Sequence, residues 1–185
     1  MRGDRFHIAV ICTANRFRSP IAATSLQREL DGLPVEITSS GTLDVGLLPP
    51  VIEALRAGRR LGLPVGRHRA HVMEAGELAE ADLVLGFERA HLVAAVDQGL
   101  ASPTVTFTLP ELVALVAQIR PRRSRRPVPT WRATIAAAAK SRHVIPQQVP
   151  EIGDPIGKRV KVAEQTAATV VELSVALGRA LRSWV

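Results

Sequence analysis

The sequence predicts an α/β domain built on a doubly wound, four-stranded parallel sheet with helices on both faces. Three observations carry this. Short apolar or β-branched runs at residues 8–11, 35–39, 81–87 and 104–108 alternate with longer segments of helical spacing. The first run, Ile8-Ala9-Val10-Ile11, is apolar throughout, as a strand buried on both faces requires. It delivers Cys12 to its C-terminal end and leads into helix-forming sequence, and a sheet of this kind keeps its site at the strand C-termini.

In chain order, residues 6–11 form the first strand and a helix follows the Cys12 loop to about residue 30. Ser19 is its expected N-cap, and Pro20 stands where a first helical residue tolerates proline. Asp31-Gly32-Leu33-Pro34 stops that helix. Residues 35–39 alternate as the second strand and run into Ser39-Ser40-Gly41-Thr42. Pro49-Pro50 opens a helix to about residue 60, closed by Leu61-Gly62-Leu63-Pro64. A short helix at 74–80 precedes the third strand at 81–87. A helix over 88–98 ends at Gly99, the fourth strand spans 104–108, and another helix covers 109–119. The last helix, about 158–182, places Val162, Ala163, Thr166, Val170, Leu173, Leu177 and Leu181 at helical spacing.

Composition bounds the rest. At 185 residues, 46% of them apolar, the chain is read as one folded domain, residues 1–185. One cysteine excludes an internal disulfide and suits a reducing compartment. No stretch reads as a signal peptide, and none offers the ~20 apolar residues of a membrane span, so a cytoplasmic protein is expected. The net charge of +7 is local: between Leu112 and Pro150 there are eight Lys or Arg and no acid, while the remainder nets −1. A single Trp131 in that segment is no aromatic platform for nucleic acid.

The chemistry concentrates in Cys12-Thr13-Ala14-Asn15-Arg16-Phe17-Arg18-Ser19. A loop between a strand end and a helix N-terminus turns backbone N–H groups inward, where the helix dipole adds positive potential. An anion of phosphate or sulfate size fits such a nest, and Arg18 adds a fork for two of its oxygens. The same field suits a thiolate nucleophile at Cys12, to which the Ser19 hydroxyl can donate.

C-x5-R-S in this setting resembles the loop of the low-molecular-weight protein tyrosine phosphatase family. The resemblance covers roughly residues 6–119 and 151–183. It implies the phosphotyrosine phosphatase I type of fold and a phosphatase working through a phosphocysteine. The substrate would be a phosphorylated protein, phosphotyrosine above all, or a small phosphorylated molecule. Cys12 is then the nucleophile and Arg18 the oxyanion clamp, while Thr13, Ala14, Asn15, Arg16, Phe17 and Ser19 line the phosphoryl site. Ser39-Ser40-Gly41-Thr42 is similar to the family's Ser-Ala-Gly-Thr, which implies a supporting Ser39–Asn15 contact. His68-Arg69-Ala70-His71 resembles a His-x-Ala-Arg element, with His68 in a supporting place and His71 where arginine is usual. Asp154-Pro155, the one Asp-Pro of the chain, matches the family's late general acid, with Glu151 in reserve. Neither metal nor cofactor is required.

The sequence departs from the family in ways that bear on substrate. Ile156-Gly157 follows Asp154-Pro155 where aromatics are usual, and Leu43-Asp44-Val45-Gly46 supplies none either, so an aromatic ring lacks its stacking walls. Arg16 at the pocket mouth would favour a second anionic group on the substrate; pointing to solvent, it would not. Phe17 replaces a second loop cysteine, so oxidised Cys12 has no resolving partner. Residues of about 120–150 are an added basic piece relative to the family, either a solvated loop or, over 120–142, a docking surface for an acidic protein, a polyanion or a membrane surface. A helix over 130–142 would let Trp131 swing over the pocket as the missing wall. Three other readings stay open: arsenate reduction with an external small thiol, a phosphoarginine phosphatase, and a phosphate-binding regulatory module without turnover.

Overall fold

Strand β1 (Phe6–Cys12) is the axis of the sheet. In the computed structural model, which describes residues 4–119, 124–142 and 149–185, β1 alternates between two apolar layers. Phe6, Ile8, Val10 and Cys12 face one and Ala9 and Ile11 the other. Helix α1 (Arg18–Glu29) carries the chain to β2 (Val35–Gly41), which pairs in parallel with β1 from Phe6↔Val35 to Cys12↔Gly41. Helices α2 (Ile52–Leu61) and α3 (Ala75–Ala79) lead to β3 (Leu83–Gly86), on the opposite side of β1 at Ile8↔Leu83 and Val10↔Leu85. Helix α4 (Arg89–Asp97) then returns to β4 (Thr106–Thr108) at the edge. The order β2-β1-β3-β4 reverses direction between β1 and β3. Cys12 ends its strand at that reversal, where the crevice of an open α/β sheet forms.

The larger apolar layer is closed by α1, α2, α5 (Leu109–Val116), α6 (Pro127–Lys140) and α7 (Val160–Ser183). Helix α7 lies close against α1: a Cβ at Gly178 would sit 2.6 Å from Glu29 Cβ. The smaller layer gathers Met73, Leu78, Ala81, Val84 and Ala95. Thus both faces of the parallel sheet are covered, which explains why β1 and β3 carry so little polar sequence.

Helix and strand boundaries differ from the sequence expectation by a few residues at their ends, but two differences are instructive. Ser19 does not cap α1: the helix begins at Arg18, Phe17 takes the N-cap position, and no side chain caps it. The Ser19 hydroxyl bonds instead within the Cys12 loop, where a tertiary partner outcompetes the local one. Trp131 does not reach over the pocket. Val128, Trp131, Ile135 and Ala138 recur at helical spacing along the buried stripe of α6. Trp131 is fully buried, donates its indole N–H to the Leu181 carbonyl at 2.9 Å and meets Phe6 edge-on at 5.4 Å.

Helix α6 is also stapled by charge. Arg132 Nε donates to Asp82 Oδ1 at 2.7 Å, and this carboxylate holds the guanidinium above its ordinary value. Arg142 bonds Glu111 at 2.9 Å and stacks on Phe107 at 4.0 Å. Two cations of the basic segment are therefore engaged internally. Its expected features at 120–123 and 143–148 fall outside the described residues, as do residues 2 and 3 of the polar start. Among the described residues, no helix is long and apolar enough to cross a membrane.

Candidate functional site

Cys12 is almost fully buried, with its sulfur 3.0 Å from Ser19 Oγ. Asn15 Nδ2 donates into that hydroxyl oxygen at 2.8 Å, which leaves the Ser19 proton free to point at sulfur. Asn15 is the one described non-glycine residue with positive φ, 53°. Four contacts hold that left-handed turn. Besides Ser19, Asn15 Nδ2 donates to Ser39 Oγ at 3.1 Å, and Asn15 Oδ1 accepts from the His71 N–H at 3.2 Å. His68 Nε2 bonds the Asn15 carbonyl at 2.8 Å. That ring must donate, since the carbonyl can only accept. Burial pushes the His68 pKa down, against the pull of this bond, and favours the neutral donor.

Gly41 closes the floor. A Cβ there would sit 2.9 Å from the Thr13 carbonyl and 3.1 Å from Asn15 N, so the β2 end passes beneath the loop only without a side chain. The segment after β2 then runs beside the loop. Thr42 N–H donates to the Cys12 carbonyl at 2.9 Å and Leu43 N–H to the Thr13 carbonyl at 2.8 Å. Arg16 Nε donates to the Pro49 carbonyl at 2.8 Å, tying that side chain to the same segment. The Phe17 side chain lies in the apolar core, so this residue leaves only its backbone to the Cys12 loop. The Asn15 side chain is likewise spent inside the loop.

Arg18 is 1% exposed and held by three hydrogen-bond acceptors and one further ion-pair partner. Nη1 donates to the Glu88 carboxylate and, at 2.7 Å, to the Ile152 carbonyl. Nη2 meets Thr13 Oγ1 and Asp154 Oδ2, each at 3.1 Å. Among the described residues Nε has no protein acceptor, which leaves that edge of the fork for an anion. The Asp154 segment docks on the β3–α4 junction: Ile152 N–H donates to the Phe87 carbonyl at 3.0 Å and Arg89 N–H to Glu151 Oε1 at 2.9 Å. Asp154 Oδ1 accepts from Ile156 N–H at 3.0 Å across Pro155, fixing the carboxyl beside Arg18. Asp154 is not the cap of α7, a place that Arg159 holds.

Glu88 and His91 were not singled out by the sequence. Glu88 caps α4 in a reciprocal box with His91 and turns its carboxylate to Arg18. His91 is buried, with Nδ1 accepting N–H bonds from Phe87 and Glu88 at 3.1 Å each. The available signal was positional: an acid and a histidine in the first turn after a buried strand, at the sheet end where Cys12 lies. A cavity of about 580 Å³ lies next to this junction, lined by Arg89, Val96, Thr108, Glu111 and Glu151, and does not include Cys12. Among the described residues no cluster of three His, Cys, Asp or Glu side chains is placed to hold a metal ion.

Burial and the Arg18 guanidinium push the His91 pKa from 6.5 down to about 4. Between those values the unfolded chain binds a proton that the folded ring refuses, so the contribution is full above pH 6.5 and is lost as pH falls toward 4. It is worth on the order of 3 kcal/mol. His91→Asn, whose Oδ1 can replace the Nδ1 acceptor, is expected to flatten the stability–pH curve over that window, while the His68 effect, of the same sign, remains. Urea titrations at several pH values measure this, and an unchanged slope would refute it.

Residues 7–110 match the family described as Low molecular weight phosphotyrosine protein phosphatase. No curated protein matches the chain. Among solved structures, the YwlE arginine phosphatase from Geobacillus stearothermophilus is similar at 21% identity and TM-score 0.72, over 96% of this chain and 94% of that one. A low molecular weight protein tyrosine phosphatase from T. tengcongensis shares 22% identity at TM-score 0.69, over 93% and 97%. The tyrosine phosphatase Wzb from Escherichia coli K30, in complex with sulphate, shares 20% identity at TM-score 0.67, over 94% and 96%. These likenesses establish a common fold.

Proposed function

The chain belongs to the low molecular weight phosphotyrosine protein phosphatase family and is a phosphatase of that type, and from this premise we propose that it transfers the phosphoryl group of a phosphomonoester to Cys12. The observation that supports this most directly is Asp154 Oδ2 at 3.1 Å from Arg18 Nη2, a carboxyl beside the clamp of the Cys12 loop. The bound phosphoryl group takes Arg18 Nε–H together with the side of Nη2 where Asp154 now sits as an ion-pair partner, and the displaced carboxyl is left beside the leaving oxygen. Cys12 sulfur attacks in line, the S–P bond forms and the P–O bond breaks, and Asp154 gives its proton to the departing oxygen. Loop N–H groups and Arg18 hold the equatorial oxygens throughout. Water then attacks phosphorus, returns a proton to Asp154 and releases the Cys12 thiolate with phosphate.

The leaving group has no aromatic wall here. Leu43 and Ile156 stand exposed at the two segments where the family carries rings. Asp154 and Glu88 flank Arg18 with negative charge. This combination favours a second substrate reading, a phosphoarginine side chain whose guanidinium would meet carboxylates rather than a ring.

Hydrolysis of an activated aryl phosphate, a phosphotyrosine peptide and a phosphoarginine peptide, by wild type and Asp154→Asn, tests both. Loss of the proton donor is expected to lower kcat about 10²–10⁴-fold for the poor leaving group and much less for the activated one. An equal loss on every substrate, or none, would remove Asp154 from the reaction. Preference for the phosphoarginine peptide over the phosphotyrosine peptide would select the second reading.

A further inference from the structure

Thr13 Oγ1 lies 3.1 Å from Arg18 Nη2 and 3.2 Å from His91 Nε2. The guanidinium can only donate to it. His91 donates as well, because its tautomer is settled by its other nitrogen. Nδ1 accepts from the backbone N–H groups of Phe87 and Glu88, at 3.1 Å each, and a ring nitrogen so engaged carries no proton of its own. Nε2 therefore bears the ring proton. Burial and the adjacent Arg18 keep the ring neutral, with a pKa of about 4.

Two donors thus fill both lone pairs of the Thr13 hydroxyl. Its own proton has no acceptor among the described residues. Thr13 follows Cys12 directly, keeps part of its surface open, and touches the same Nη2 that holds Asp154. Its proton is therefore set next to the edge of Arg18 that an incoming anion must take.

We propose that His91 is a positioning residue that turns the Thr13 hydroxyl proton toward the phosphoryl group over Cys12, adding a side-chain donor to the N–H groups of the loop. This rests on the reading of the Cys12 loop as the phosphoryl site. The donor is oriented before substrate arrives, from 78 residues away in sequence, so it needs no reorganisation during the reaction. It is selective for an acceptor oxygen, and it strengthens as negative charge gathers on that oxygen.

The test uses two readouts, calorimetric affinity for inorganic phosphate and steady-state hydrolysis of an aryl phosphate. Thr13→Val is expected to lose roughly tenfold or more in both phosphate affinity and kcat/KM, and Thr13→Ser less, since it keeps the hydroxyl. His91→Asn keeps an acceptor for the Phe87 and Glu88 N–H groups but lacks the Nε2 donor, and should fall as Thr13→Val does. His91→Gln can place a donor near Thr13 and should fall less. Adding His91→Asn to Thr13→Val should cost nothing further, because the shared contact is already gone.

A purely structural role for His91 gives the opposite pattern, with His91→Asn unaffected and His91→Gln impaired. That outcome overturns the proposal, as does wild-type phosphate affinity and turnover in Thr13→Val. If the wild type binds phosphate without turnover, the phosphoryl-transfer reading fails while the affinity arm still decides the role of Thr13. Should a His91 variant fail to fold, the Thr13→Val and Thr13→Ser pair decides whether the hydroxyl reaches the anion, and equal affinities in that pair overturn the proposal.

Discussion

Cys12→Ser is expected to abolish hydrolysis, lowering aryl phosphate turnover by roughly 10⁴-fold or more, while inorganic phosphate still binds. The two halves of this result come from different parts of the loop. On the proposed mechanism the anion is held by backbone N–H groups and Arg18, in a loop whose conformation depends on Asn15, Ser19, Ser39 and His68 rather than on sulfur. The proposed nucleophile is sulfur alone. A serine hydroxyl at the same position has no base to take its proton: Ser19 is the group beside it, and Asp154, displaced from Arg18 by substrate, faces the leaving oxygen across the phosphorus. Turnover retained within tenfold of wild type would sink a phosphocysteine intermediate. Loss of phosphate binding along with turnover would mean that the substitution had collapsed the loop, and circular dichroism would distinguish this from loss of the nucleophile.

What the sequence made legible was local. A strand, a loop of fixed length and a helix start are written within residues 8–26, so Cys12 and Arg18 could be placed from spacing and helix chemistry alone. Asp154-Pro155 stood out through the family resemblance, as the one Asp-Pro pair of the chain, just before a long periodic helix. The contacts of Arg18 were not legible. Glu88 lies 70 residues from it, and in sequence Glu88-Arg89-Ala90-His91 is indistinguishable from an ordinary helix start. Parallel strand pairing alone brings the β1 and β3 ends together, and side-chain partners set by pairing leave no local mark. Trp131 was misplaced for a related reason. The arginines around it suggested a solvated surface, yet the stripe of Val128, Trp131, Ile135 and Ala138 was already present at helical spacing. Ser19 shows the reverse failure, a correct local rule overridden because sulfur and Asn15 offered the hydroxyl a better partner.

Arg18→Lys is expected to lower kcat/KM by about 10³-fold or more, although the charge is kept. The guanidinium fills four directions at once: Glu88 and the Ile152 carbonyl on Nη1, Thr13 and Asp154 on Nη2. A planar fork can be anchored by one nitrogen while it offers the edge formed by Nε and Nη2 to the phosphoryl oxygens. An ammonium has three donors on one atom and must choose. If Lys turns to Glu88, the phosphoryl group loses its clamp; if it turns to the phosphoryl group, the Glu88 carboxylate faces a dianion without its partner, a costly arrangement in a partly buried site. Adding Glu88→Gln to Arg18→Lys separates these two losses. Partial recovery of phosphate affinity in the double variant identifies the unpaired carboxylate as the main damage, whereas no recovery assigns it to the lost fork geometry. A single Arg18→Lys variant within tenfold of wild-type kcat/KM would show that positive charge alone suffices, and the bidentate clamp would have to be abandoned.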